Sequence, residues 1–158
     1  MISQQAKAAA FKTLHEQPGA FVVPNPWDIG STRMLATFGF KALVVASAGL
    51  SFSLGRADEI GVVGREETLD HLRGIVGATD LPVSADLQHG FGDAPEFCAE
   101  TIRLVAGAGL VGGSIEDATG RAAEPIYPFD LAAARVKAAV AAARALPFPF
   151  MLTARAEN

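Results

Sequence analysis

Asp86 ends a short apolar run and opens a glycine-rich loop, in the stretch Pro82-Val83-Ser84-Ala85-Asp86-Leu87-Gln88-His89-Gly90-Phe91-Gly92-Asp93. A carboxylate at such a boundary destabilises the fold if it is buried alone, so it must be solvated, hydrogen-bonded or holding a cation. Gly90 and Gly92 let the backbone turn tightly beside it. The same residues also read as a strand end with a helix-capping turn, since Asp93 and Glu96 have capping-box spacing. Repetition favours chemistry. Asp28, Ser47-Ala48-Gly49, Asp86, Glu116 and Arg155 each stand at the end of an apolar run, more polar strand ends than capping alone requires. His89, close to Asp86 in sequence, reads either as an exposed loop side chain or as a neighbour of the site.

The elements that must position these residues alternate. A helix is expected over about 3–15, with Ala6, Ala10 and Leu14 on one face, until Pro18-Gly19 breaks it. Phe21-Val22-Val23 reads as a short buried strand. A helix over about 30–38 follows, with Met34, Leu35 and Phe38 as its apolar side and Gly39 as its stop. Ala42 to Ala46 is a continuous apolar strand, followed by a loop of small residues. Leu69, Leu72, Ile75 and Val76 mark a helix over about 65–78, in which His71 is a surface or boundary residue. The strand ending at Asp86 leads to a helix over about 94–106. Leu110 to Ile115 is the next strand, closed by Glu116-Asp117; a loop with Arg121, Glu124 and Tyr127 then reaches Asp130 as N-cap. An alanine-rich helix carrying Leu131, Val136 and Val140 precedes a fifth strand, Phe148 to Thr153. Connections of this length suit parallel crossovers. In parallel sheets and barrels, the C-terminal strand ends form one functional face.

The chain has 158 residues, enough for one core, with half of them hydrophobic and 19% charged. Thirteen basic against 17 acidic side chains, with no basic cluster, argue against nucleic acid or an anionic membrane as partner. The apolar runs are too short to span a bilayer, and polar residues interrupt the N-terminus, so no signal peptide is expected. Cys98 is the sole cysteine and reads as part of a packed helix face with Phe97, Ala99 and Ile102; a reducing cytoplasm is the expected setting. Gly107-Ala108-Gly109-Leu110-Val111-Gly112 fits a dinucleotide-binding pattern but leaves a helix and enters a strand, so it reads as an αβ turn. No zinc-type cluster of Cys and His occurs.

Several of these motifs resemble the isocitrate lyase and phosphoenolpyruvate mutase superfamily. Ala46-Ser47-Ala48-Gly49-Leu50, with Ser53-Leu54-Gly55 ahead of Asp58, is similar to its second βα loop. Ala85 to Gly92 resembles its third-strand motif, Ile115-Glu116-Asp117 its I-E-D, and Ala154-Arg155 its A-R-x-D. Pro24 to Asp28 with Ser31 is similar to its first loop. The resemblance implies a (β/α)8 TIM-type barrel that binds Mg2+, with Mn2+ as an alternative, and a small 2-oxo acid or phosphonate whose C–C or C–P bond is cleaved or rearranged through a pyruvate-type enolate. It implies Asp86 as direct metal ligand, Asp58 and Glu116 holding metal-bound waters, and backbone N–H groups of Ser47, Ala48 and Gly49 on substrate oxygens. Arg155 is implied to pair with the substrate's carboxylate or phosphonate, and a homo-oligomer is implied for the full-length protein. Few carboxylates with several waters suit Mg2+, and a metal with a guanidinium suits developing enolate charge.

The chain departs from that pattern in three places. Gln88 stands where the family usually has a second carboxylate, and the resemblance places it among the catalytic residues. The lyase signature K-R/K-C-G-H is missing, and Ala118 to Asp130 holds no lysine, cysteine or histidine, which argues against isocitrate or methylisocitrate cleavage. The asparagine usual in the mutase branch is missing there too; Arg121 or Tyr127 could substitute. The chain stops after its fifth strand, so residues 1–158 read as one incomplete barrel domain of about five βα units, without strands six to eight. A class II pyruvate aldolase, or a non-catalytic remnant binding a carboxylate or a protein partner, are the competing readings.

Overall fold

The computed structural model describes residues 2–157. Ser3 caps α1 (Gln4–Glu16), its Oγ accepting from the Ala6 amide at 3.2 Å. The buried face of α1 is Lys7, Ala8 and Phe11, whereas Ala6 and Ala10 are exposed. Phe11 sets this face, since it has far more apolar area to bury than an alanine, and it packs with Ala8, Ala42 and Val111. The strand expected at 21–23 does not form. That segment carries no regular secondary structure, and its link to the sheet is Val44 N–H donating to Pro24 O at 3.1 Å, beside Asn25 Nδ2 donating to Val44 O at 2.7 Å. Pro24 and Pro26 have no N–H to continue a ladder.

A capping box between Asp28 and Ser31 starts α2 (Ile29–Ala36). It turns Ser31 and Thr32 inward, leaving Met34 and Phe38 62% and 64% exposed, the reverse of the expected face. The strand β1 (Leu43–Val45) leads to a short helix, α3 (Ser47–Ser53), where a loop was expected. The helix α4 (Arg65–Gly77) buries Leu69, Leu72 and Ile75 as its spacing predicts. The strand β2 (Val83–Asp86) is followed by α5 (Pro95–Gly107), whose N-cap is Ala94 with Pro95 in its first turn. Asp93 therefore does not cap this helix; its carboxylate is engaged elsewhere. Gly109, at φ +100, makes the expected αβ turn into β3 (Gly112–Glu116).

The expected loop after β3 is a hairpin of β4 (Ala118–Arg121) and β5 (Glu124–Ile126). Pro128 precedes α6 (Phe129–Arg144), so Asp130 lies in the first turn rather than at the cap, where its charge still suits the helix dipole. Arg135, Ala139, Ala142 and Ala143 are buried on α6, while Leu131, Val136 and Val140 are half-buried. The last strand is β6 (Met151–Arg155).

The main sheet is parallel throughout, in the order β1-β2-β3-β6. Each strand pairs with the one before it and the order never reverses, which is the winding of a TIM-type barrel rather than of a doubly wound sheet. Residues of α4, α5 and α6 form the main core with Val83, Ala85 and Ile115. Phe11 of α1 lies with Ala42 and Val111, which precede β1 and β3, so α1 covers the N-terminal ends of the strands, opposite the polar ends. Among the described residues no helix is long and apolar enough to cross a membrane.

Candidate functional site

The C-terminal ends of four parallel strands converge on one carboxylate. Asp86 ends β2 with its side chain 18% exposed. Its Oδ2 accepts from Ser47 Oγ, just past β1, at 3.0 Å, and from Arg155 Nη1 of β6 at 3.2 Å. Its Oδ1 accepts from the Gln88 amide at 3.0 Å and from Ser114 Oγ at 3.4 Å. Arg155 Nη1 also lies 3.3 Å from Glu116 Oε2, so the guanidinium bridges the two carboxylates. It pairs with Glu157 as well. Burial and the negative charge of Asp86 push the Glu116 carboxyl up to about 7, against the pull of Arg155.

Gln88 has a left-handed backbone, φ +50, and is 6% exposed. Its Oε1 is buried without a hydrogen-bond partner, as is Ser51 Oγ. Both residues line a cavity of about 10 Å³ with Ser47 and Asp86, a space on the scale of one water. Ser47, Ala48 and Gly49 form the first turn of α3, whose N-cap, Ala46, provides no side-chain bond. Their N–H groups have no partner within the helix, where bonding starts with Leu50 N–H to Ala46 O.

The sequence-derived residues do not all come together. Asp86, Glu116, Arg155, Ser47 and Gln88 are neighbours. Asp58 lies exposed on the loop between α3 and α4 and forms no metal-holding cluster with Asp86 and Glu116. Among the described residues no group of three or more His, Cys, Asp or Glu is arranged to hold a metal. Asp28 is occupied as a helix cap, accepting from the Ser31 amide at 2.6 Å, and that bond holds its carboxyl below the usual range. His89 is half-buried rather than exposed; burial, then the nearby Arg135 charge, lowers its pKa, and its Nδ1 has no partner. Arg121 and Tyr127 are both directed at Asp93, Arg121 Nη1 at 3.0 Å from each carboxylate oxygen and Tyr127 OH donating at 2.5 Å. Burial and that bond push the Tyr127 hydroxyl up to about 12.

Sequence reasoning missed Ser114, Ser51 and Arg135. Ser114 pairs directly with Asp86 across β2 and β3, and opposed side chains share a face, but that register is set by tertiary packing and leaves no local signal. Arg135 gave no signal: an arginine in an alanine-rich helix reads as solvent-facing.

The profile of the family described as phosphoenolpyruvate phosphomutase matches residues 11–158. A candidate lyase/mutase from Burkholderia cenocepacia J2315, known from its crystal structure, is 61% identical, with a TM-score of 0.94 over 98% of this chain and 55% of that one. Oxaloacetate acetylhydrolase, solved with its product oxalate, superposes with a TM-score of 0.87 at 26% identity, covering 98% of this chain and 54% of that one. The 2-methylisocitrate lyase of Halalkalibacterium halodurans is 30% identical over 115 residues, 73% of this chain and 38% of its own. The chain spans about half the length of the relatives it matches, or less.

Proposed function

The chain belongs to the phosphoenolpyruvate phosphomutase family, and we propose that it binds a small 2-oxo acid or phosphonate together with Mg2+ and breaks or rearranges a C–C or C–P bond through a pyruvate-type enolate. The observation that carries this reading is the convergence of Ser47, Ser114 and Arg155 on Asp86, with Glu116 beside it.

The donor set fits the cation. Mg2+ takes one or two carboxylates and keeps its remaining positions for water. Asp86 and Glu116 repel one another, and the Gln88 Oε1 acceptor is buried without a donor. Asp86 would hold the ion directly, with Glu116 and Gln88 on its waters; Asp58 would join only through a rearrangement of its loop. When bound, Mg2+ supplies positive charge opposite the negative charge that develops on the substrate.

The protein's own groups do the rest. Ser47 Oγ and the Gln88 amide fix the Asp86 carboxylate before any ligand arrives, which spares reorganisation. Arg155 offers a planar fork to a substrate carboxylate or phosphonate, exchanging its present bridge between Asp86 and Glu116 for that anion. The first-turn N–H groups of α3 are available to substrate oxygens. Because Ala118 to Asp130 holds no lysine, cysteine or histidine, we favour cleavage of an oxaloacetate-like acid or a phosphonate over that of 2-methylisocitrate.

Melting curves with Mg2+ and oxalate test the reading. Both ligands together are expected to raise the melting temperature by mass action, and Asp86→Ala to abolish the response. An unchanged response in Asp86→Ala would remove Asp86 from the site. Binding without turnover of any 2-oxo acid or phosphonate would favour the non-catalytic reading to which Gln88 points.

A further inference from the structure

We propose that Arg135 is a positioning residue for this site, acting through the loop that follows Asp86; the inference rests on the metal and carboxylate reading above. Arg135 lies on α6 and is 1% exposed, one of the largest fully buried side chains of the chain. A buried guanidinium needs compensation, yet among the described residues no carboxylate forms an ion pair with it, and its Nε has no hydrogen-bond partner. Instead Nη1 donates to the main-chain carbonyls of Gly92, at 2.6 Å, and Asp93, and Nη2 donates to that of His89. Its Cζ stands 4.1 Å from the centre of the Tyr127 ring, a cation–π contact.

Three carbonyl dipoles directed at one point repel each other unless a cation stands there, so Arg135 is what allows the loop its path. That path is strained. Gln88 and Phe91 both take left-handed backbones, at φ +50 and +62, which non-glycine residues hold only where their surroundings over-determine them. From the other side α5 fixes the same turn, Thr101 Oγ1 donating to Gly90 O at 2.9 Å. The loop in turn sets the site. The Gln88 amide donates to Asp86 Oδ1, and Gln88 O accepts from the Glu116 amide at 3.0 Å. A single guanidinium therefore determines, two bonds away, where both carboxylates stand. Tyr127 ties the β4–β5 hairpin to the same cation, through its ring and through Asp93.

The test compares Arg135→Lys with the wild-type chain, with Ile75→Ala on α4 as a core-destabilised control that removes no hydrogen bond to the loop. Lysine keeps the charge, but one nitrogen cannot stand at both Nη positions. Hydrogen exchange at the Gln88, Gly90 and Glu116 amides is expected to speed up at least tenfold more than at Ile102 and Val105 of α5. Oxalate affinity in the presence of Mg2+ is expected to fall at least tenfold by calorimetry. Ile75→Ala should lower the melting temperature yet leave that affinity within twofold. Tyr127→Leu, which removes the ring under the guanidinium, should shift both readouts the same way by a smaller factor and serves if Arg135→Lys does not fold. Equal acceleration in the loop and α5, or unchanged oxalate affinity, would overturn the proposal. A wild-type chain that binds no oxalate would count against the functional reading, while the exchange comparison still decides whether Arg135 holds the loop.

Discussion

Glu116 carries a charge that its surroundings disfavour, and this has a definite sign. Its carboxyl stands at about 7 in the folded chain against an ordinary 4.5. Between those values the folded state holds a proton that the unfolded state has released, so this group's contribution to stability falls as pH rises from about 4.5 to about 7. Glu116→Gln, which mimics the protonated form, is expected to raise the melting temperature at pH 8 and to change little at pH 4.5. An equal gain at both pH values would point to packing rather than charge. Mg2+ affinity should climb with pH through the same window, because the cation displaces that proton. Gln88→Glu is expected to tighten Mg2+ by adding a negative charge close to Asp86, and equal or weaker binding by calorimetry would give Gln88 a substrate role instead. Arg155→Lys should weaken oxalate by about 1–3 kcal/mol, the scale of a lost charge-assisted hydrogen bond, and leave Mg2+ affinity nearly unchanged.

At the scale of elements, close approaches of backbone decide what β3 tolerates. A Cβ on Gly112 would stand 2.9 Å from Met151 O, Phe11 Cε1 and Ser84 Oγ at once. Gly112→Ala is therefore expected to cost about 1–3 kcal/mol in urea unfolding, the range of an overpacked core. Gly77, in the last turn of α4, has nothing within 4 Å of an added Cβ; Gly77→Ala should stabilise by up to about 1 kcal/mol. The helices show how far hydrophobic spacing carries. The α4 stripe is read correctly because its large aliphatic residues outnumber rival faces. The α1 stripe is misread because alanines bury little area, and the α2 face because its capping box sets the roll of a helix only eight residues long.

For the molecule as a whole, β6 pairs with β3 alone, leaving its outer edge unpaired among the described residues. Met151 N–H donates to Val111 O, so the alternation of a parallel ladder points the N–H groups of Leu152 and Ala154 away from β3. Two grooves flank this edge: one of about 870 Å³ along Pro147 to Leu152, of mixed lining that includes Lys12 and Arg144, and a mainly apolar one of about 470 Å³ beside Phe129, itself 84% exposed. Unpaired edges with apolar margins associate. The isolated chain is expected to self-associate with rising concentration in sedimentation velocity, and Ala154→Pro, which removes one outward donor, to reduce that association without unfolding the chain. Unchanged association in Ala154→Pro would place the contact elsewhere.

The sequence alone determined the βα alternation, the αβ turn at Gly107 to Gly112, and the polar face formed by Asp86, Glu116 and Arg155. Those signals are local: apolar runs, turn glycines and motif spacing act over a few residues. It misassigned Asp93 as a cap because capping chemistry and site chemistry use the same side chains, and only the neighbours in space distinguish them. Tertiary structure alone decided that Ser114 faces Asp86 and that Asp93 anchors Arg121 and Tyr127. It also buried Arg135 under a loop more than forty positions earlier in the chain. Strand register and helix roll decide these contacts, and both come from packing the whole core, where the residues that must agree lie far apart along the chain.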